Sequence, residues 1–225
     1  MKGMNNKILE INLSKNQFEE VKLEEEILEK FIGGRGLGDK ILSERLPKGI
    51  DPLDPENPLI FTTGPFGGTN IPTNGRFSLV TKSPLTKGMF YSNSGGHFGV
   101  FMKKCGYDGL IIQEKLERPG YLFIEENSEP VIKDASELWG LNTEAALKKL
   151  KEREGKDIHA LMIGPAGENL VNIASIMNDA SRAFGRGGVG AVMGSKKLKA
   201  LVVKRGTKRF GIHDKELLKK YVKMA

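Results

Sequence analysis

One phrase occurs twice in this chain and limits what it can fold into. Leu59-Ile60-Phe61-Thr62-Thr63, a short buried-strand pattern, runs directly into Gly64-Pro65-Phe66-Gly67. One hundred residues later, Ala160-Leu161-Met162-Ile163 runs into Gly164-Pro165-Ala166-Gly167. The echo continues, because Gly95 to Ile112 and Gly187 to Val203 each read as a glycine pair, a short apolar helical stretch, a Lys-Lys pair and a strand. The order is shared and the spacers differ, which points to internal duplication; chance similarity in a glycine-rich chain is the alternative. The expected fold is α+β: two related halves, roughly 59–112 and 160–203, with mixed β-sheets and short helices following glycine-rich loops.

Composition sharpens that reading. Glycine supplies 28 of 225 residues, about 12% against a usual level of roughly 7%, and the glycines cluster, as they do where backbone approaches a ligand. The formal charge of +7 favours anionic partners. Cys105 is the single cysteine, so the chain alone makes no internal disulfide and no multi-cysteine zinc or iron–sulfur site. A lone cysteine of this kind reads as a small buried hydrophobe. No apolar run is long enough to span a membrane, and MKGMNNKILEINL has no apolar signal core, so a cytoplasmic protein is expected.

Flanking elements follow from local pattern. Lys7–Leu13 and Phe18–Leu23 predict a hairpin across Ser14-Lys15-Asn16-Gln17. Gly33-Gly34-Arg35-Gly36-Leu37-Gly38 follows a helical pattern and not a strand, so it predicts a hinge between two short helices and not a dinucleotide fingerprint. A strand is expected near Tyr121–Ile124 and a helix from Thr143 to Glu154, capped by Asn142 or Thr143 and ended by Gly155. The helical pattern from Asp214 to Ala225 runs off the end of the chain, which reads as a cut or split protein or as a frayed terminal helix.

Two segments carry chemistry. Arg76 precedes a strand, Phe77–Thr81, and Ser92-Asn93-Ser94-Gly95-Gly96-His97 follows. Asn178-Asp179-Ala180-Ser181-Arg182-Ala183-Phe184-Gly185-Arg186-Gly187-Gly188 repeats the arrangement with added arginines. A glycine pair opening a helix offers free N–H groups and the positive end of the helix dipole to an anion. Guanidinium forks add pairing to phosphate or ring carbonyls. Two such pockets would hold two anions or two copies of one anionic cofactor; solvated arginines in a glycine loop are the plainer alternative. Aromatic residues total 7% and are not read as a base-stacking surface among the basic ones, so nucleic acid is not expected. The histidines His97, His159 and His213 are scattered and show no metal-ligand spacing, and no nucleophile elbow occurs.

The stretches GPFGGTNIPTNGRFSLVTKSPLT, NSGGHFG, GYDGLII, IGPAGENL and IMNDASRAFGRGGVGAVMGSKKLKA resemble the N-terminal domain of the tungsten-containing aldehyde:ferredoxin oxidoreductase family, over essentially the whole chain. The resemblance implies a domain, residues 1–211, on which a tungsten or molybdenum bis-pterin rests. Residues 212–225 would begin a helix leading to downstream domains. It implies dithiolene sulfurs as the metal's ligands, so that the metal needs none from this chain. A magnesium ion bridging the pterin phosphates is assigned to oxygens at Asn93 and Ala183. Arg76, Asn93, Gly95, Arg182, Ala183, Gly185 and Arg186 match the cofactor-contacting positions. The [4Fe–4S] cluster and the proton-handling groups would lie in downstream domains or another subunit. The complete enzyme would oxidise an aldehyde to a carboxylic acid and pass electrons to ferredoxin, while this chain alone would be inactive. The rivals are a non-catalytic pterin-binding scaffold and an unrelated phosphate- or nucleic-acid-binding protein.

Overall fold

Two six-stranded sheets carry the repeated phrases, and the computed structural model describes residues 1–224 of the chain. The first sheet is built from β1 (Lys7–Asn12), β2 (Gln17–Lys22), β3 (Leu59–Thr62), β4 (Phe77–Lys82), β5 (Met89–Ser94) and β6 (Gly109–Gln113). With it go α1 (Glu25–Phe31), α2 (Gly34–Arg45) and α3 (Phe98–Lys104). The second sheet is built from β7 (Gly120–Ile124), β8 (Val131–Asp134), β9 (Ile158–Met162), β10 (Ile176–Asn178), β11 (Arg182–Phe184) and β12 (Leu198–Lys204). Its helices are α4 (Thr143–Glu154), α5 (Pro165–Glu168) and α6 (Val189–Ser195), and α7 (Lys215–Met224) follows.

The two sheets have one strand order. The first runs β2-β1-β6-β3-β4-β5 and the second, taken from its far edge, β8-β7-β12-β9-β10-β11. In each, an antiparallel hairpin joins through one parallel pair (β1 with β6, β7 with β12) to an antiparallel meander. The shared order therefore extends over 7–113 and 120–204, beyond the two segments that look alike in sequence. The repeated turns are bonded alike as well: Gly67 N–H donates to Gly64 O at 3.2 Å and Gly167 N–H to Gly164 O at 3.0 Å.

Period-two alternation places the core. Leu59 and Phe61 of β3, Leu110 and Ile112 of β6, Leu122 and Ile124 of β7, and Leu161 of β9 face one core between the sheets, which also takes Phe98 of α3 and Val189 of α6. The alternate residues Ile60 and Ile111 face outward to Leu37, Ile41 and Leu42 of α2, while Tyr121, Ala160 and Val202 face Ala146, Leu147 and Leu150 of α4. Strands covered on both faces read as continuous apolar runs, which is why LIFT and ALM look alike in sequence.

Local expectations hold where side chains carry their own signal. The hairpin, the 143–154 helix and the hinge at Gly33 form as expected. Asn142 Oδ1 accepts from Ala145 N–H at 2.8 Å, and Gly155 ends α4 with a backbone φ of 95°. The glycines of 33–38 serve packing: a Cβ on Gly38 would lie 2.5 Å from Val80 Cγ2. Cys105 is buried, with its Sγ–H directed to Lys204 O at 3.3 Å. Helix α7 is capped by Asp214, buries no residue and leaves Leu217 and Tyr221 exposed; Ala225 lies outside the described residues.

Three lysines are absent from the protein's cationic surface. Lys103 donates to Gly64 O (2.6 Å), Lys196 to Pro55 O (2.7 Å), and Lys199 to Leu141 O (2.8 Å) and Glu168 Oε1. All three are fully buried. Burial pushes the Lys103 ammonium down to about 8 and that of Lys196 down to about 7. The two Lys-Lys pairs are not structural equivalents, since Lys103-Lys104 closes α3 while Lys196-Lys197 follows α6.

Candidate functional site at the seam between the duplicated edge strands

Strands β5 and β11 are the outermost strands of their meanders, and their Cα atoms approach within 8 Å. Each is the other's counterpart in the strand order of its sheet. Register fixes the match. Phe77 pairs with Ser94 across β4/β5, and Ile176 pairs with Phe184 across β10/β11. With Phe77 and Ile176 in equivalent core positions, Ser94 corresponds to Phe184, Asn93 to Ala183, and Gly95 to Gly185. Four residues singled out in the sequence are thus two equivalent pairs.

The glycine positions at this seam are open. A Cβ built on Gly95 or Gly185 meets nothing within 4 Å, so nothing of the protein fills the space above either. Arg76 Nη1 donates to Asn93 Oδ1, which holds the guanidinium along the end of β5. Arg182 and Arg186 are exposed and take part in none of the ion pairs among the described residues. The seam therefore presents three guanidinium groups and open backbone.

The side chain of Asn178 ties the two loops together. Its Nδ2 donates to Gly95 O at 2.6 Å and lies 3.4 Å from Ser94 Oγ. Its Oδ1 is buried and has no hydrogen-bond partner among the described residues. An unpartnered buried acceptor costs about 1–3 kcal/mol, and here it lies beside the open glycine loop. Beneath, Phe184 packs edge-on against Phe77 (4.9 Å) and Phe61 (5.7 Å), so an aromatic cluster from both halves floors the seam. These anchors lay outside the sequence reading; Asn178 and Phe184 appeared there only inside a motif, with no role.

The second loop departs from its expected form. Gly187 and Gly188 are buried: a Cβ on Gly187 would lie 2.3 Å from the Phe90 ring, and one on Gly188 2.1 Å from Asn172 O. Gly187 O accepts from Ser83 Oγ–H at 2.7 Å, and Gly190 N–H, in the first turn of α6, donates to Ala174 O at 2.9 Å. This glycine pair therefore joins the halves and is buried where an open helix start was expected; the open stretch is Gly185–Arg186. The first-half helix begins one residue later than its glycine pair, with His97 as its N-terminal flank. The histidines, scattered in sequence, partly converge: the His97 and His159 rings lie 5.1 Å apart. Among the described residues no group of three His, Cys, Asp or Glu side chains is placed to hold a metal ion, and no helix is long and apolar enough to cross a membrane.

Residues 8–205 match the aldehyde ferredoxin oxidoreductase N-terminal domain. The chain belongs to that family. It is 49% identical, over 96% of its length, to a tungsten-containing aldehyde ferredoxin oxidoreductase of Pyrococcus abyssi, and 38% identical, over 97%, to the WOR-like subunit of an aliphatic sulfonate oxidoreductase of Pyrococcus furiosus. It covers 35% and 37% of those relatives, and so spans about a third of their length. Among solved structures it superposes on the active site complex BamBC of benzoyl coenzyme A reductase with a TM-score of 0.94 at 36% identity, covering 99% of this chain and 34% of that one. The fold and the N-terminal position within an oxidoreductase family are thereby established.

Proposed function

We propose that this domain is the platform for a tungsten or molybdenum bis-pterin in an aldehyde:ferredoxin oxidoreductase. The observation that carries the reading is the equivalence of Asn93 with Ala183 and of Gly95 with Gly185 on two edge strands that meet. A cofactor containing two copies of one anionic group suits a surface made of two copies of one loop. The tungsten in the relatives' names supports the metal. Their names also range from aldehyde to sulfonate to glyceraldehyde-3-phosphate chemistry, which supports a common role for the shared N-terminal portion and a choice of substrate made outside it.

The residues present fit such a group. Gly95 and Gly185 admit it to the backbone, and Arg76, Arg182 and Arg186 are set to pair with phosphate or pterin oxygens. Asn93 and Ala183 would offer oxygens to a magnesium ion held with the cofactor, whose charge would offset that of the phosphates. When bound, the metal–dithiolene centre supplies the redox chemistry; this chain's residues hold and orient it and give it no metal ligand. A [4Fe–4S] cluster, with its several thiolates, falls to downstream domains or a second subunit, since Cys105 is the single cysteine here. Oxidation of an aldehyde to a carboxylic acid, with electrons passed to ferredoxin in the cytoplasm, belongs to that complete assembly.

Elemental and pterin analysis of protein purified from its native host tests the reading. Near-stoichiometric tungsten or molybdenum with pterin is expected. Arg186→Lys should weaken retention by about tenfold to a hundredfold, because a planar charge-assisted contact is lost although the charge is kept. Gly95→Val should weaken it further. Bound RNA with neither metal nor pterin would overturn the proposal.

A further inference from the structure

We propose that His159 and Asp179 form a positioning pair that locks the β10–β11 turn against α3 and so keeps the two halves' loops aligned at the seam. The inference rests on the platform reading above for its consequence, and on geometry alone for its mechanism. Asp179 sits in the turn with a φ of 50°, a left-handed conformation that aspartate tolerates better than most residues. Its carboxylate is divided between two tasks: Oδ1 accepts from Ala160 N–H at 2.9 Å, and Oδ2 meets His159 Nδ1 at 2.8 Å. Asp179 N–H donates in turn to Ala160 O at 2.8 Å. The turn is thus pinned to β9 at three points.

The His159 ring carries the link into the other half. It lies flat on Phe101 of α3, with centroids 4.8 Å apart and planes 3° from parallel, and 5.1 Å from His97. The Lys104 ammonium and the Arg205 guanidinium also lie over Phe101, at 5.1 and 5.4 Å. The groups that meet His159 are therefore Asp179, His97 and Phe101, and Phe101 in turn carries Lys104 and Arg205. A carboxylate that orients the ring by its Nδ1 fixes how the ring lies on α3. The same turn carries Asn178, bonded to Gly95 O, and Arg182, whose Cγ lies 3.5 Å from a Cβ built on Gly96. Asp179 and Asn178, adjacent in sequence, thus grip the first-half loop through α3 and through Gly95.

Substitutions separate the hydrogen bond from the stack. His159→Phe keeps a ring on Phe101 but donates nothing to Asp179; Asp179→Asn keeps an acceptor for Ala160 but removes the charge; His159→Asn places an amide N–H near the position of Nδ1. Amide hydrogen exchange on the full chain is expected to quicken in both His159→Phe and Asp179→Asn, at residues 178–182 and also at 95–97; His159→Asn should restore protection at 178–182 but not at 95–97, because it puts no ring on Phe101. The double variant should match the single ones, as for two groups acting as one unit. In protein purified with its cofactor, tungsten and pterin retention should fall by roughly threefold to tenfold in both single variants. Asn142→Ala, which loosens α4 on the far side of the second sheet, should lower thermal stability without touching either readout. Exchange that quickens only at 178–182, or retention unchanged in a wild-type protein that holds cofactor, would overturn the pairing. A wild-type protein with no pterin would instead overturn the platform reading, and the exchange data would still decide the positioning role.

Discussion

Gly194 is where backbone contact matters most, and Gly194→Ala measures it. Helix α6 lies on the Gly164–Gly167 turn through Gly190 and Gly194, four residues apart and so on one face. A Cβ on Gly194 would stand 1.9 Å from Gly167 O and 2.7 Å from its carbonyl carbon. Real Cβ contacts essentially never fall below 3.0 Å, so helix and turn must separate by roughly 1 Å, into a core packed at crystal-like density. Overpacking costs about 1–3 kcal/mol, and a rigid backbone obstacle places this case near the upper end. Alanine recovers about 0.5–1 kcal/mol of helix preference over glycine. The net expectation is a loss of about 2 kcal/mol, which at this chain length lowers Tm by about 4–8 °C. Thermal and urea unfolding followed by circular dichroism supply the assay. Gly88→Ala is the control, since a Cβ there meets nothing within 4 Å, and it should be neutral or slightly stabilising. If Gly194→Ala matches Gly88→Ala, the close-approach argument is wrong.

Three further substitutions test other parts of the structure. Glu168→Ala strands the buried Lys199 ammonium with Leu141 O alone and removes the acceptor of Gly140 N–H; urea unfolding should show a loss of about 3–5 kcal/mol. For Lys196, burial lowers the folded-state pKa to about 7, so between that pH and the ordinary lysine range near 10.4 the unfolded chain binds more protons and stability rises with pH. Its burial penalty is therefore full below about pH 7, and Lys196→Met should gain on wild type as pH falls from about 9.5 to 6.5; a Tm difference independent of pH would refute this. Asn142→Ala removes the α4 cap bond to Ala145 N–H and should cost about 1 kcal/mol by the same unfolding measurement, with no change expected at the seam.

Local signals wrote the elements of this fold into the sequence. A capping asparagine, a terminating glycine and alternating apolar residues act over a few positions, so β1/β2, the Gly33 hinge and α4 could be read directly. The repeated strand–GPxG phrase exposed the duplication, because a turn that must bond the same way twice keeps the same residues. The members of the seam were also legible as types: glycines that admit a ligand and arginines that pair with anions. Tertiary structure decided which of them share a place. The equivalence of Asn93 with Ala183 is set by cross-strand register, which depends on which core face each strand buries. The burial of Gly187 under Phe90, the gathering of His97, His159 and Asp179, and the withdrawal of three lysines into carbonyl-lined sites each depend on residues far apart in the chain. Contacts of that kind leave no periodicity in sequence; they exist only once two sheets have closed on one core, and that closure is what joins two glycine loops into one seam.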